Sequence, residues 1–101
     1  MTTTLTEFEV PPGTPAEAVD AAIEEVAPAF RTIPGLLRKY FLRSEDGTLT
    51  GGCYLWETRE QARAFSEGPL REMIRERFGV ECSIRYFDTP LVVDNTCPTA
   101  G

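Results

Sequence analysis

The residues of this chain best suited to chemistry fall in two neighbouring stretches. Arg38 and Tyr40 lie in Leu36-Leu-Arg-Lys-Tyr-Phe-Leu-Arg43, and Tyr54 and Trp56 in Leu49-Thr-Gly-Gly-Cys-Tyr-Leu-Trp56. A phenolic hydroxyl can donate a hydrogen bond to a substrate oxygen or a radical intermediate, and a guanidinium can hold a phenolate. Each also has an ordinary structural use. A buried tyrosine commonly satisfies its hydroxyl inside the core, a tryptophan fills a core or an interface, and an arginine in an apolar strand needs a partner. For Arg38 an interface salt bridge to Glu7 or Glu9 serves that need as well as a ligand does. Arg85 and Tyr86 are weaker candidates further along, and the doubled glycine Gly51-Gly52 admits either a ligand or a closely packed helix.

An absence narrows the chemistry further, because the chain contains no histidine. A Ser-His-Asp triad, a His-ligated haem, a zinc site of paired histidines and an iron site of histidine and carboxylate all need the missing imidazole. No Asp/Glu loop of calcium-binding spacing is present, so no metal site is expected. Cys53, Cys82 and Cys97 are an odd number without C-x-x-C spacing, which predicts free thiols rather than a disulfide framework or a zinc knuckle. A formal charge of −6 repels a phosphate backbone and an anionic membrane surface, so nucleic acid is not an expected partner. No apolar run approaches the roughly 20 residues that span a bilayer. The polar start Met1-Thr2-Thr3-Thr4 lacks the basic flank and apolar stretch of a signal peptide, and a cytoplasmic protein is expected.

Positioning these residues requires a fold, and 101 residues of near-average composition suffice for one domain with one core, ending in a flexible tail from about residue 96. Leu5 to Val10 alternates as a strand and Pro11-Pro12-Gly13 ends it. Thr14-Pro15-Ala16-Glu17 predicts a capped helix start, with Val19, Ala22, Ile23, Val26 and Phe30 along one face and Pro28 kinking or ending it. Asp46-Gly47 predicts a hairpin between the two stretches above. Symmetric pairing about that dipeptide sets Arg38 opposite Leu55, Tyr40 opposite Cys53 and Leu37 opposite Trp56. One face then holds Arg38, Tyr40, Leu42, Leu49, Cys53 and Leu55, and the other Leu37, Lys39, Phe41, Tyr54 and Trp56. Thr58-Arg59-Glu60-Gln61 is a second capping box, interrupted downstream by Gly68-Pro69. A further helix points Leu70, Met73, Ile74 and Phe78 inward and ends at Gly79, and Val80 to Tyr86 alternates as the last strand. Leu91-Val-Val93 is one more extended piece.

Strand, helix, hairpin, helix, strand is the ferredoxin-like βαββαβ order of an α+β domain, with a four-stranded antiparallel sheet and helices on one face. The other face needs a cover, because both sides of Leu49 to Trp56 lack charge where a solvated face alternates to polar. A second copy, sheet to sheet across a two-fold axis, is the economical cover, and a homodimer is expected.

Ile33-Pro-Gly-Leu-Leu, the hairpin, the Gly51-Gly52-Cys-Tyr54-Leu55-Trp56 strand running into a Thr-capped helix, and Phe87-Asp88 followed by Pro90-Leu91 and Asn95 together resemble the YdhR family. That family is described as monooxygenases of the dimeric α/β-barrel superfamily, and the resemblance spans roughly residues 5 to 95. It implies a relation to oxygenases of aromatic polyketide biosynthesis that work without a cofactor, holding a phenolic or quinol-like substrate between sheet and helices. In such chemistry an ionised phenol or enol passes an electron to dioxygen directly, and the protein supplies positioning, a dry cavity and oxyanion stabilisation. The resemblance makes Trp56 the first catalytic candidate, at the end of the Gly-Gly strand where related oxygenases carry a pocket aromatic, with Tyr54, Tyr40 and Arg38 beside it. Asn95 also recurs in it and better fits a dimer contact. Two alternatives stay open: a small-ligand binding or stress-response protein without turnover, and an isomerase, cyclase or decarboxylase of a polyketide-like substrate. The last needs a carboxylate base, and no paired carboxylates mark one.

Overall fold

Alternation at the N-terminus begins before Leu5. In the computed structural model, which describes residues 1–96, strand β1 runs over Thr2–Glu9 because the threonines at 2, 4 and 6 are β-branched and continue the period set by Phe8. Helix α1 (Ala16–Val26) follows and passes at Pro28 into a 3₁₀ turn, Ala27–Thr32. Strands β2 (Leu36–Arg43) and β3 (Leu49–Trp56) form the hairpin. Helix α2 (Arg59–Phe65), a wide π turn (Ser66–Leu70) and helix α3 (Arg71–Phe78) lead to β4 (Ser83–Asp88). The four strands form one antiparallel sheet in the order β2-β3-β1-β4, the ferredoxin-like arrangement. Among the described residues no helix is long and apolar enough to cross a membrane. Residues 97–101, with Cys97 and most of the expected tail, lie outside the described residues.

Local signals held unevenly. Thr58 caps α2, accepting from the Gln61 backbone N–H at 3.2 Å, and Gly79 closes α3 at φ +68°. Thr14 does not cap α1: its hydroxyl turns back to donate to the Pro11 carbonyl, and Pro15 takes the cap position without a side-chain bond. Gly68-Pro69 does not interrupt the second helical segment, because the chain absorbs Pro69 in the π turn and continues. The last strand starts at Ser83 rather than Val80, and Leu91 to Val93 pairs with no strand.

The hairpin register pairs Arg38 with Leu55 and Tyr40 with Cys53 as expected, but a bulge at Leu37 sets Leu36 opposite Trp56. Alternation sends Thr2, Thr4, Thr6, Phe8, Thr50, Tyr54 and Trp56 toward the helices, where they are buried. There Phe8, Phe30, Tyr54, Trp56, Ala62, Leu70 and Ile74 form the core. The other sheet face keeps Tyr40, Leu42, Leu49 and Phe87 exposed, and Leu91, Val92 and Val93 are exposed as well. The two glycines of β3 have separate tasks. A Cβ at Gly51 would stand 1.8 Å from the Thr6 carbonyl oxygen, so the close approach of β1 requires glycine there. A Cβ at Gly52 would stand 3.0 Å from both the Lys39 side chain and the Tyr54 ring, so its absence leaves room for those two groups.

Candidate functional site

Opposite faces of the sheet receive the four sequence candidates in pairs. Trp56 and Tyr54 point to the helices, 0% and 2% exposed. Arg38 and Tyr40 point the other way, Tyr40 54% exposed. The two pairs do not form one site. Trp56 donates its indole N–H to the Thr4 hydroxyl at 3.0 Å and stacks on Tyr54 at 5.9 Å between ring centroids, so it backs the tyrosine instead of facing open space. Arg38 donates to the Tyr40 hydroxyl and to Asp94, which draws the segment after β4 across the outer face. Asp94, held by the Thr96 hydroxyl and backbone N–H and by Arg38, titrates at about 2. Neither Glu7 nor Glu9 takes Arg38; Glu7 pairs with Arg85 on the adjacent strand. A cleft of about 360 Å³ lies between Arg38, Tyr40, Cys53 and the Val92–Thr96 segment. Tyr86 donates to Glu67 at 2.6 Å and is thereby occupied.

A second space lies between sheet and helices, where Phe8, Phe30, Phe41 and Tyr54 face Ile23 and Val26 of α1, Leu70 at the end of the wide turn, and Met73, Ile74 and Phe78 of α3. It is apolar and partly open, with a volume of about 60 Å³, the share of two water molecules at ~30 Å³ each. Two polar features mark it. The Thr6 hydroxyl is buried at the wall with no hydrogen-bond partner among the described residues, although buried hydroxyls normally have one. The second is Lys39. Its Nζ lies 3.3 Å from the centroid of the Phe30 ring, 3.9 Å from that of Phe41 and 4.5 Å from that of Tyr54.

No carboxylate faces this amine among the described residues. Burial strips the ammonium of water and supplies no anion in exchange, which pushes its pKa down to about 7. Aromatic faces attract the charged form, by about 2 kcal/mol or more where it is desolvated, and so act against the shift. The amine therefore exchanges its proton near neutral pH, as a general base must. The same desolvation raises the Tyr54 hydroxyl, with Cys82 adding to it, so Tyr54 stays a neutral hydrogen-bond donor. Lys39, Phe30 and Phe41 also form one wall of an open groove of about 400 Å³ that runs between the 3₁₀ turn and β2. The lysine thus lines both the inner space and the groove.

Lys39 was not among the sequence candidates. Its signal was its company, since the hairpin pattern places it as the single cation on a face otherwise made of Leu37, Phe41, Tyr54 and Trp56.

The family described as "Putative mono-oxygenase ydhR" matches residues 5–90. No curated protein matches the chain. Solved structures with the same fold include a monooxygenase from the ActVA-Orf6 gene of Streptomyces coelicolor in complex with nanaomycin D. It is 22% identical with a TM-score of 0.67, over 91% of this chain and 89% of that one. SnoaB, a cofactor-independent oxygenase from Streptomyces nogalater, is 20% identical with a TM-score of 0.66, over 91% and 95% of the two chains. A variant of MhuD with two manganese protoporphyrin IX molecules per active site is 22% identical with a TM-score of 0.70, over 93% and 99%. At these identities the likeness establishes the fold.

Proposed function

The chain belongs to the ydhR mono-oxygenase family, and from that membership we propose that it oxygenates a small phenolic or quinol-like molecule without a cofactor, using the Lys39 amine as base. The observation that carries this reading is the unpaired amine held against three aromatic rings at the edge of an apolar space. Flat aromatic substrates suit such walls, and two proteins of the same fold support the reading, one a monooxygenase holding the ligand nanaomycin D and the other, SnoaB, a cofactor-independent oxygenase.

Neutral Lys39 takes the proton of the substrate hydroxyl or enol, and the ammonium so formed pairs with the oxyanion. The electron-rich anion gives one electron to dioxygen, the radical and superoxide combine as a peroxide anion on carbon, and the Lys39 ammonium returns its proton to make the hydroperoxide. Loss of water leaves a carbonyl: one oxygen atom stays in the product, and the other leaves as water with the hydrogen of the oxidised carbon and the proton first taken by Lys39. The substrate is its own reductant. A low-dielectric surround strengthens the ammonium–oxyanion pair and excludes competing water. A two- or three-ring substrate exceeds about 60 Å³, so it extends from this space past Lys39 into the adjoining groove, which Lys39 also lines.

The test is dioxygen uptake by chelator-treated protein with naphthols, hydroquinones and anthrones. Saturable uptake is expected, with kcat rising through pH about 7 as Lys39 loses its proton. Tight binding without uptake above the uncatalysed rate would replace this reading with that of a ligand-binding protein.

The working unit in this proposal is a homodimer joined through the outer sheet face. Leu42, Leu49, Tyr40 and Phe87 leave that face apolar and exposed, a state that small soluble domains avoid. Light scattering at micromolar concentration is expected to give twice the 11.2 kDa chain mass; a value near the single-chain mass would sink the dimer.

A further inference from the structure

We infer that the ligand of this site carries an acidic substituent, a carboxylate on its aromatic scaffold, which lies in the groove between the 3₁₀ turn and β2 against Arg31 while the scaffold's hydroxyl reaches Lys39. The inference rests on the proposed function for the scaffold and takes the acid from the charges of the groove. Arg31, Arg38 and Lys39 line that groove together, and no carboxylate lines it among the described residues.

Scarcity of acid does not explain this, because the chain has 16 Asp and Glu against 10 Lys and Arg. Among the described residues, seven of those ten cations are ion-paired: Arg38, Arg43, Arg59, Arg71, Arg75, Arg77 and Arg85. The remaining three are Arg31, Lys39 and Arg63, and Arg63 lies over the Tyr86 ring. The two cations that have neither a carboxylate nor such a surface stop among the described residues share one groove, on a protein of net charge −6. Lys39 is engaged by the aromatic rings and Arg38 by Asp94, so Arg31 is the cation left for a ligand. Its planar fork suits a carboxylate, which can take two parallel hydrogen bonds from it. A groove of about 400 Å³ has room for such a group beside the scaffold. The arrangement divides the work: Arg31 holds a permanent anion at the surface, and Lys39 meets only the charge that appears when the hydroxyl ionises.

Isothermal titration calorimetry of 6-hydroxy-2-naphthoate against 2-naphthol tests this on the whole chain, with Arg31→Met and Arg63→Met as variants. Arg31 and Arg63 are exposed, so neither substitution disturbs the core. The carboxylate is expected to bind about fivefold more tightly than the naphthol, as a partly exposed charge pair allows. That ratio should fall to about one in Arg31→Met and stay near five in Arg63→Met. Equal affinities in the unsubstituted chain, a preference that survives Arg31→Met, or no binding of either compound would overturn it. Dioxygen uptake is read separately: a ratio near five without uptake would refute the oxygenase and leave the acid-recognising groove standing.

Discussion

Lys39→Met is expected to slow substrate-dependent dioxygen uptake about a hundredfold while leaving the chain folded and more stable at neutral pH. Methionine matches the lysine stem in length, and its sulfur packs well against the rings of Phe30, Phe41 and Tyr54. What it removes is the proton acceptor, and general-base assistance is worth about 10²–10⁴ in rate. Lys39→Arg separates charge from basicity, since a guanidinium keeps its proton at any working pH, and uptake should be as low there as in the methionine variant. Uptake unchanged in both variants would remove Lys39 from the reaction.

The gain in stability has a definite pH dependence. Folded, the amine titrates at about 7; its ordinary value, kept in the unfolded chain, is 10.5. Between those limits the unfolded chain holds a proton that the folded chain has released, so stability rises with pH across that window. Below pH about 7 both states are protonated and the folded state bears the full cost of a desolvated ammonium. Denaturant unfolding of both proteins from pH 6 to 10 should show their difference largest at the acid end and shrinking upward. A difference independent of pH would mean that Lys39 keeps its proton at its ordinary pKa.

The second large effect concerns Gly51→Ala, which is expected to cost about 3 kcal/mol or more and to lower the unfolding midpoint by roughly 12–24 °C. The added methyl would stand 1.8 Å from the Thr6 carbonyl oxygen and 2.8 Å from its carbon. Those are backbone atoms of β1, which is hydrogen-bonded to β3 on one side and to β4 on the other, so no flexible side-chain end can give way. Overpacking of a core costs 1–3 kcal/mol where rotamers can adjust, and here only the sheet itself can move. Total stabilities of 5–15 kcal/mol leave small reserve. Gly68→Ala is the matched control: its Cβ would meet nothing within 4 Å, and alanine favours the helical state over glycine by up to ~1 kcal/mol. Thermal unfolding of both variants decides the matter, and a Gly51→Ala midpoint within two degrees of the parent would refute the close approach.

Much of the fold was legible because short-range chemistry dictated it. Asp46-Gly47 set the hairpin, and from it the pairs Arg38–Leu55 and Tyr40–Cys53 followed. The pair Leu37–Trp56 failed because a bulge is decided by the twist of the finished sheet. Thr14 looked like a cap, yet a hydroxyl three residues from Pro11 had a nearer acceptor. Less of the site was legible. Tyr54 does line the inner space, but Trp56 stands behind it, and Arg38 and Tyr40 belong to the face expected to meet a second copy. Lys39 was passed over because a strand lysine normally signals solvent, and its unpaired state is a property of three-dimensional neighbours. The pairing of Glu25 with Arg77 makes the same point, since no local pattern joins residues so far apart.

The wide turn at Ser66–Leu70 governs helical phase. Ala62, Ser66, Leu70 and Ile74 are buried at every fourth position, and Phe78 packs against the same core. In an uninterrupted α-helix each such step overshoots a full turn by about 40°, so by Phe78 the stripe would have swung roughly 160° off the sheet. One surplus residue in a π turn takes back about 100° of that drift. The segment Arg59–Phe78 can thereby keep one long stripe over a sheet that an ordinary helix of the same length would leave. The identity of the inner wall beyond the turn, with Met73, Ile74 and Phe78, is thus written in chain length as much as in residue type. A relative lacking that single residue would rotate a different set of side chains into the same space, and with them a different choice of guest.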